Sequence, residues 1–393
     1  MKKKRVIIFW GGEGYGHLVA AKAIEQRLKN IDPSVEVILK DTLDFPTRLT
    51  RKLITSSYYV LTQHMPKLFD HVYEYAMKTA ETAKSIADPG MAKQYRPERM
   101  LKYIEAMQPD CVLVTFSPAA EMIVYLRDRG KLLDLPVGHV LLDYVSNHYF
   151  CRLGMRLEMS FTPHASFLKD FKRWGHPPEK MCASGVPILL DDLTPFSKKD
   201  RLDFFKEQKL NPKITTLVLV SGAAGVGNFP KIIKSLAKEL KEPIQLLVIC
   251  GKNKQNYSAV TKLAPQLPEN FSISTHKLIA PKLALHFVKA ADLVITKAGA
   301  LTPTELSYIG KAVVYLDING GQERHNAAFI KKHNLGKITD DQEAVGEIVR
   351  KLLANPNEIN SMKAAQAKFC ESLQPQLITD WVMAAISTKP KRK

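Results

Sequence analysis

Little in this sequence would staple a fold from outside its core. Its 393 residues include five cysteines, Cys111, Cys151, Cys182, Cys250 and Cys370, with no C-x-x-C pair and no nearby Cys/His cluster. That excludes a zinc ribbon, a dithiol redox motif and a disulfide scaffold, and makes a reducing, cytosolic setting the default. No apolar run approaches the roughly 18 to 20 residues that cross a bilayer. The basic start, Lys2 to Arg5, leads into only Val6 to Trp10 before Gly11 and Gly12, too short for the apolar region of a signal peptide. A dinucleotide fingerprint would need glycine where the chain has His17 or Val19, and no P-loop pattern occurs. Acidic residues are scarce: 39 Asp and Glu stand against 57 Lys and Arg, a net charge of +18. Such a surplus favours a nucleic acid, an anionic membrane surface or a phosphorylated ligand. The bases are interspersed with acids and no RNP, KH or zinc-finger motif is present, which argues against nucleic acid. The basic clusters at Lys2 to Arg5 and Lys389 to Lys393 read as solvated termini.

With 45% apolar and 24% charged residues the chain is ordinary globular protein, and its length suits two domains. From Arg5 it reads strand (Val6 to Trp10), glycine-rich turn (Gly11, Gly12, Gly14, Gly16), helix from about His17 to Lys29, then strand at Val35 to Leu39. Apolar runs at Cys111 to Phe116 and Val137 to Leu142 flank a helical stretch, Ala119 to Arg129. After a polar stretch at 191–213 the pattern restarts with strand Leu217 to Val220, glycine-rich turn Ser221 to Gly227, helix Pro230 to Leu240 and strand Gln245 to Cys250. Strands at Phe271 to Ser274, Asp292 to Thr296 and Ala312 to Leu316 then alternate with helices at Pro281 to Lys289, Pro303 to Ile309 and Gln322 to His333. Alternation of this kind predicts two parallel sheets with right-handed crossovers, and a ligand cleft between the two domains at the carboxyl ends of the strands.

The segment Pro46 to Ala87 breaks the rhythm. It mixes Leu49, Leu53, Ile54, Tyr58, Tyr59, Leu68, Val72 and Tyr75 with Arg48, Arg51, Lys52, Lys67 and Lys78, and reads as amphipathic helices. Such helices suit a membrane interface, and equally suit packing on the first domain's sheet.

Three loops carry the candidate chemistry. Gly11-Gly-Glu-Gly-Tyr-Gly-His17 joins a strand to a helix, so its backbone can approach a polar ligand, and His17 can take a proton near neutral pH. A histidine at a helix start is also a common structural residue. Ser221-Gly-Ala-Ala-Gly-Val-Gly227 repeats the strand-glycine-helix logic and could cradle a diphosphate, with Asn228 as a helix cap. In Thr296-Lys-Ala-Gly-Ala-Leu-Thr-Pro-Thr-Glu305 the spacing of Thr302, Pro303 and Glu305 predicts a capping box, while a carboxylate there also suits a grip on ribose hydroxyls. Gln322 and Glu323, in Asp317-Ile-Asn-Gly-Gly-Gln-Glu323, could bond sugar hydroxyls or simply line a polar surface loop.

Spread in order over 1–355, the stretches GYGHLVAAK, LLDYVSNH (141–148), FTPHASFLKDFKRWGHPPEKMCASGVPI (161–188), SGAAGVGNFPKI, LLVICGKN, VITKAGALTPTEL and GGQERHNAAFI resemble the diacylglycerol glycosyltransferases. These are the bacterial processive diacylglycerol glucosyltransferases and plant monogalactosyldiacylglycerol synthases, relatives of the lipid I GlcNAc transferase. The resemblance implies an α/β, GT-B fold of two doubly wound Rossmann-like domains with an interdomain cleft: 1–190 binding the acceptor, with membrane helices at about 46–87; 191–213 a linker; 214–375 binding a UDP-sugar; and 376–393 a segment returning to the first domain with a basic tail. It implies inverting transfer of a hexose, from UDP-glucose or UDP-galactose, to diacylglycerol or a glycolipid. His17 would be the base, Asp143 its rival or an orienting carboxylate, and Gly14, Tyr15, Gly16 and His148 the acceptor side. Gly222, Gly225, Gly227 and the helix start Gly299, Ala300, Leu301 and Thr302 would face the donor's diphosphate, Glu305 the ribose, Gln322 and Glu323 the hexose, and backbone near Leu278 and Ile279 the uracil, with Gly251, Lys297 and Asn326 also on the donor side. Family members usually carry Pro before the GQE motif, where this chain has Gly320-Gly321. No metal or cofactor is implied, in keeping with the lack of an Asp-x-Asp motif. The expected partners are a UDP-sugar, a lipid acceptor and an anionic membrane, and the expected place is the cytoplasmic face of the cell membrane. The competing readings are a GlcNAc transferase for a polyprenyl-linked acceptor, a UDP-sugar epimerase and a noncatalytic nucleotide-sugar binder.

Overall fold

The computed structural model describes residues 3–12, 15–82, 89–190, 193–318 and 320–388. In chain order the first elements are β1 (Arg5–Trp10), α1 (Tyr15–Ile31), β2 (Glu36–Asp41), α2 (Arg48–His64), α3 (Pro66–Thr82), α4 (Pro89–Gln94), α5 (Pro97–Met107) and β3 (Cys111–Val114). There follow α6 (Ser117–Arg127), β4 (Val137–Val140), α7 (His148–Met155), β5 (Met159–Thr162), α8 (Ser166–Arg173) and β6 (Met181–Ala183). The second half brings α9 (Lys198–Glu207), β7 (Thr215–Val220), α10 (Phe229–Glu239), β8 (Ile244–Ile249), α11 (Lys254–Leu263), β9 (Phe271–His276), α12 (Pro281–Ala290) and β10 (Leu293–Lys297). Last come α13 (Thr302–Ile309), β11 (Ala312–Leu316), α14 (Gln322–Lys332), β12 (Lys337–Thr339), α15 (Val345–Leu353), α16 (Pro356–Glu371) and α17 (Gln376–Thr388).

The chain divides into two compact units, 1–189 with 372–393, and 190–371. Each holds a six-stranded sheet, in the orders β2-β1-β3-β4-β5-β6 and β12-β11-β10-β7-β8-β9, with every pairing parallel. Helices cover both faces of such sheets, so the strands must be apolar on both sides. The central strands obey this: Val6 to Phe9, Cys111 to Val114, Leu217 to Leu219, Leu293 to Ile295 and Ala312 to Leu316 are buried. Helix α1 lays Ala20, Ala21, Ala23, Ile24 and Leu28 inward, the alanines permitting a close approach to the sheet. In each sheet the chain leaves the first strand in one direction and returns on its other side. The switch points therefore lie between β1 and β3, and between β7 and β10.

Three expectations need correction. Residues 191–213 are not simply a linker, because α9 occupies 198–207 of it. Its Ser197 and Asp200 form a capping box, Phe204 and Phe205 are buried, and Arg201 donates to the Ala290 carbonyl at 2.8 Å and to Asp292 at 2.9 Å, so this helix belongs to the second unit. The short strands β5, β6 and β12 extend the sheets beyond those expected from the apolar runs. The capping box at Thr302 is absent: α13 starts at Thr302 itself, its cap residue Leu301 is in helical conformation, and no side chain of the cap accepts a bond. One residue of early winding places Glu305 past the position from which it could reach back. Helix α17 packs on α1 and β3, burying Ile378, Val382 and Ile386, with Trp381 edge-on to Phe161 at 5.8 Å. The basic residues 389–393, Gly14 and residues 83–87 of the amphipathic segment lie outside the described residues.

Candidate active site

At the first switch point the turn after β1 meets the turn after β3. His17, in the first turn of α1, has its Nδ1 at 2.6 Å from the carbonyl oxygen of Thr115. A carbonyl only accepts, so Nδ1 carries the hydrogen and Nε2 carries the lone pair. Thr115 returns a bond from its hydroxyl to the His17 carbonyl at 3.3 Å, and the Phe116 ring stands edge-on to the imidazole at 5.2 Å. Burial pushes the His17 pKa down to about 4, the carbonyl bond opposing it, so the ring is neutral at physiological pH. Behind it, His139 of β4 is 1% exposed and burial pushes it to about 3, with His17 adding to the shift. Its Nε2 lies 3.3 Å from the Ser117 hydroxyl that opens α6, and its buried Nδ1 has no hydrogen-bond partner among the described residues. Around this cluster, Tyr15 is exposed and Gly16 half-buried. Asp143 lies in the loop after β4; its charge, after burial, pushes the hydroxyl of Tyr73 on α3 upward. His148 opens α7 with its ring 4.2 Å from that of Trp174.

The second switch point is built from backbone. Gly225 (φ 63) and Gly251 (φ 59) interlock the loops after β7 and β8: a Cβ on Gly225 would sit 1.9 Å from the Cys250 carbonyl, and one on Gly251 2.4 Å from that of Ala223. Only glycine fits either place. Asn253 and Asn256 each donate to the Gly225 carbonyl at 2.9 Å, and Asn256 also to Gly227 at 2.9 Å. Asn228 caps α10 by accepting from Lys231 N–H at 3.1 Å, as its position suggested. Across the switch, Lys297 closes β10 beside the loop after β7: its Cε is 3.4 Å from where a Cβ on Gly222 would sit, and its Nζ 3.7 Å from the same point on Gly299. Lys297 pairs with buried Glu323 at the start of α14, beside half-buried Gln322. Asn326, fully buried, donates to the Ala298 carbonyl at 3.1 Å, so it holds the β10–α13 turn, in which Ala300 is half-buried and Leu301 buried. Burial pushes Glu305 up to about 7, and no hydrogen bond or ion pair reaches its carboxyl among the described residues. At the ends of β8 and β9 an open cavity of 370 Å³ is lined by Gly251, Lys252, Asn253, Lys254, Tyr257, Lys277 and exposed Leu278, with Ile279 half-buried beside it.

The monogalactosyldiacylglycerol (MGDG) synthase family matches residues 17–188, and the glycosyltransferase family 28 C-terminal domain matches residues 216–377. The two family models together span most of the chain, and the chain is similar to the diacylglycerol glycosyltransferases. It is 23% identical to the processive diacylglycerol beta-glucosyltransferase of Bacillus licheniformis over 366 residues, 92% of this chain and 89% of that protein. With the enzyme of the same name from Staphylococcus saprophyticus it shares 24% over 370 residues, 92% and 88% of the two chains. Among solved structures, Acinetobacter baumannii MurG superposes with a TM-score of 0.63 at 19% identity, covering 98% of this chain and 100% of that one. Staphylococcus aureus MnaA, solved with UDP, gives 0.62 at 14% over 99% and 100%. The fold is GT-B, and the chain is a glycosyltransferase, an enzyme that transfers sugar.

Within this glycosyltransferase the first switch point brings His17 together with Thr115, Phe116, Ser117 and His139, four residues that no motif marked. They follow β3 or lie in β4, and reach His17 through strand pairing at long range. The apolar run at 111–116 did carry part of the signal. It ends as a strand at Val114, leaving Thr115 to Ser117 as the turn at the strand's carboxyl end. Helices α2 and α3 are formed, and Ile54 packs on the first core, yet Leu49 (79%), Leu53 (66%), Tyr59, Val60, Leu68, Val72 and Tyr75 (74%) are exposed. No described helix is long and apolar enough to cross a membrane.

Proposed function

We propose that this glycosyltransferase moves a hexose, glucose or galactose, from its UDP-sugar to the hydroxyl of diacylglycerol or a glycolipid at an anionic membrane surface, with inversion. The observation that carries the reading is His17. Its Nδ1–H is committed to the Thr115 carbonyl, and burial keeps the ring neutral, so Nε2 stands as a proton acceptor at the carboxyl end of the sheet's switch point. In the proposed step the acceptor oxygen attacks the anomeric carbon from the face opposite UDP. The bond from that carbon to the β-phosphate oxygen breaks with its electron pair leaving on UDP, and the acceptor's proton passes to His17 Nε2. Asp143 is assigned to orient the acceptor, with Tyr15, Gly16 and His148 near its entry. Negative charge growing on UDP is met by Lys297 and the start of α13, a role that needs no metal. Glu305 receives the ribose hydroxyls, Leu278 and Ile279 the uracil, and Gln322 and Glu323 the hexose.

The exposed apolar residues of α2 and α3, edged by Arg48, Lys52 and Lys67, support a peripheral seat on the cytoplasmic face of the membrane. Each well-placed base would add about 1 kcal/mol on an anionic surface. The test is incubation of purified protein with diacylglycerol in anionic liposomes and, separately, UDP-glucose, UDP-galactose and UDP-GlcNAc, following UDP release and lipid products by mass spectrometry. A hexosyl-diacylglycerol formed by the parent and lost in His17→Ala supports the assignment. UDP binding without any lipid product would overturn it.

A further inference from the structure

Asp41 ends β2, directly beside Trp10 of β1 in the sheet, and is buried. One carboxylate oxygen accepts from the Gly12 N–H at 3.1 Å and from the Leu43 N–H at 2.9 Å. Its other oxygen accepts from Arg51 of α2 at 3.2 Å, and the same guanidinium donates to Asp44 at 2.9 Å. Arg51 is followed by exposed Leu53 and preceded by exposed Leu49. Gly12 leads within five residues to His17, and Gly11 beside it packs so closely on the Phe116 ring that a Cβ there would meet the ring at 2.5 Å. Phe116 is the ring that stands edge-on to His17. Gly11 and Gly12, which follow β1, are thus pinned on one side by Phe116 and on the other by a single carboxylate, and that carboxylate is gripped from α2.

We propose that Asp41 is a positioning residue for His17, holding the β1–α1 turn through Gly12, and that Arg51 ties this clamp to the helix that presents Leu49 and Leu53. The proposal rests on the reading of His17 as the base. It adds that the acceptor-side helix and the base share one ionic link, so that displacing α2 is felt at the imidazole. A buried carboxylate accepting backbone N–H groups is suited to this, because an ionised acceptor makes stronger bonds than a neutral one and fixes the donor's direction.

The test uses the full chain with labelled histidine, Asp41→Asn, Arg51→Gln and Arg51→Lys, and reads the NMR titration of His17 beside steady-state kinetics and UDP affinity. In the parent, burial holds the His17 pKa down at about 4. In Asp41→Asn the freed turn should let water reach the ring, raising that value by about one unit or more, and kcat should fall about tenfold while the donor KM and UDP Kd stay within about twofold. Arg51→Gln should move His17 in the same direction by less, and Arg51→Lys should recover part of the change. An unmoved His17 titration in Asp41→Asn that still binds UDP overturns the proposal. If that variant does not fold, Arg51→Gln decides, since it leaves both carboxylates in place and an unmoved His17 there is equally fatal. The histidine titration needs no turnover, so a parent enzyme inactive on diacylglycerol would count against the proposed reaction without touching this result.

Discussion

Glu305 lies in the first turns of α13 with a carboxyl pushed by burial from 4.5 up to about 7 and with no partner among the described residues. A group held this way opposes folding once it ionises. Moving the carboxyl from 4.5 to about 7, at about 1.4 kcal/mol per tenfold change in proton affinity, gives a penalty of about 3.5 kcal/mol. The sign follows from which state binds the proton. Below pH 4.5 the carboxyl is protonated in both the folded and unfolded chain and nothing is lost. Between 4.5 and about 7 the unfolded chain gives up its proton and the folded chain keeps it, so stability falls through this window and levels off above it. Glu305→Gln removes the charge and keeps the shape. In urea denaturation, following the transition that UDP shifts, the variant should be more stable than the parent by up to about 3.5 kcal/mol at pH 8, and nearly equal to it at about pH 4.

The same substitution should weaken UDP. Ribose hydroxyls would supply the donors that an ionised carboxylate lacks here, and a hydrogen bond to a charged group is worth about 1.5–3 kcal/mol, or about tenfold to a hundredfold in Kd. Because those donors favour the ionised form, UDP binding to the parent near pH 6.5 should release protons, seen by calorimetry in buffers of different ionisation heat. The variant should release fewer, and 2′-deoxy-UDP should shrink the difference between the two proteins. A variant no more stable at pH 8, together with parent-like UDP affinity, would refute both the burial argument and the ribose assignment.

Other outcomes are expected from the same geometry. His17→Ala should lower kcat about 100- to 10,000-fold in the liposome assay without changing UDP affinity. Because burial holds His17 at about 4, the parent's kcat profile should show no acid limb near 6.5. His17 and His139, depressed to about 4 and about 3, bind protons in the unfolded chain before the folded one, so acid should erode the first unit as pH falls below 6.5, and the double variant His17→Gln with His139→Gln should blunt that loss in urea melts. Gly251→Ala, with φ at 59 and a Cβ 2.4 Å from the Ala223 carbonyl, should cost about 2 kcal/mol or more and loosen the loop after β8; on the proposed donor reading UDP affinity should fall with it, read by urea melts and UDP calorimetry. Leu49→Asp with Leu53→Asp should weaken liposome co-sedimentation about 100-fold or more, at about 1.5–3 kcal/mol per leucine, and leave UDP affinity alone.

The two strand-glycine-helix units were legible because each apolar run stops sharply at glycine, as at Trp10-Gly11 and Val220-Ser221-Gly222. Strands β6 and β12 were not, since three residues pair at a sheet edge without a periodicity to read. Helix α9 carried a legible signal, Ser197 three residues before Asp200, inside a stretch whose overall polarity suggested a linker. The residues around His17 divide in the same way. His17 lies within a motif, whereas Ser117 and His139 come beside it through the pairing of β1 with β3 and β3 with β4, a relation between distant segments that no local pattern encodes. Glu305 was legible as a position but not as a role: the spacing fitted a cap, and a helix that starts one residue earlier left its half-buried carboxyl where desolvation pushes it up to about 7.

That displaced start also separates the two helices that flank the second switch point. At α10, Asn228 occupies the amino end by accepting from Lys231 N–H, so part of that terminus is already satisfied by the protein. At α13 the cap position holds Leu301, which offers no side-chain acceptor, and Lys297 and Gly299 stand next to it. A helix amino end without a side-chain cap favours an anion, and one beside an ammonium more so. On the proposed reading, the diphosphate's growing charge therefore belongs at α13, and the glycines after β7 serve chiefly to keep backbone and the β8 loop close enough for the nucleotide to pass over them.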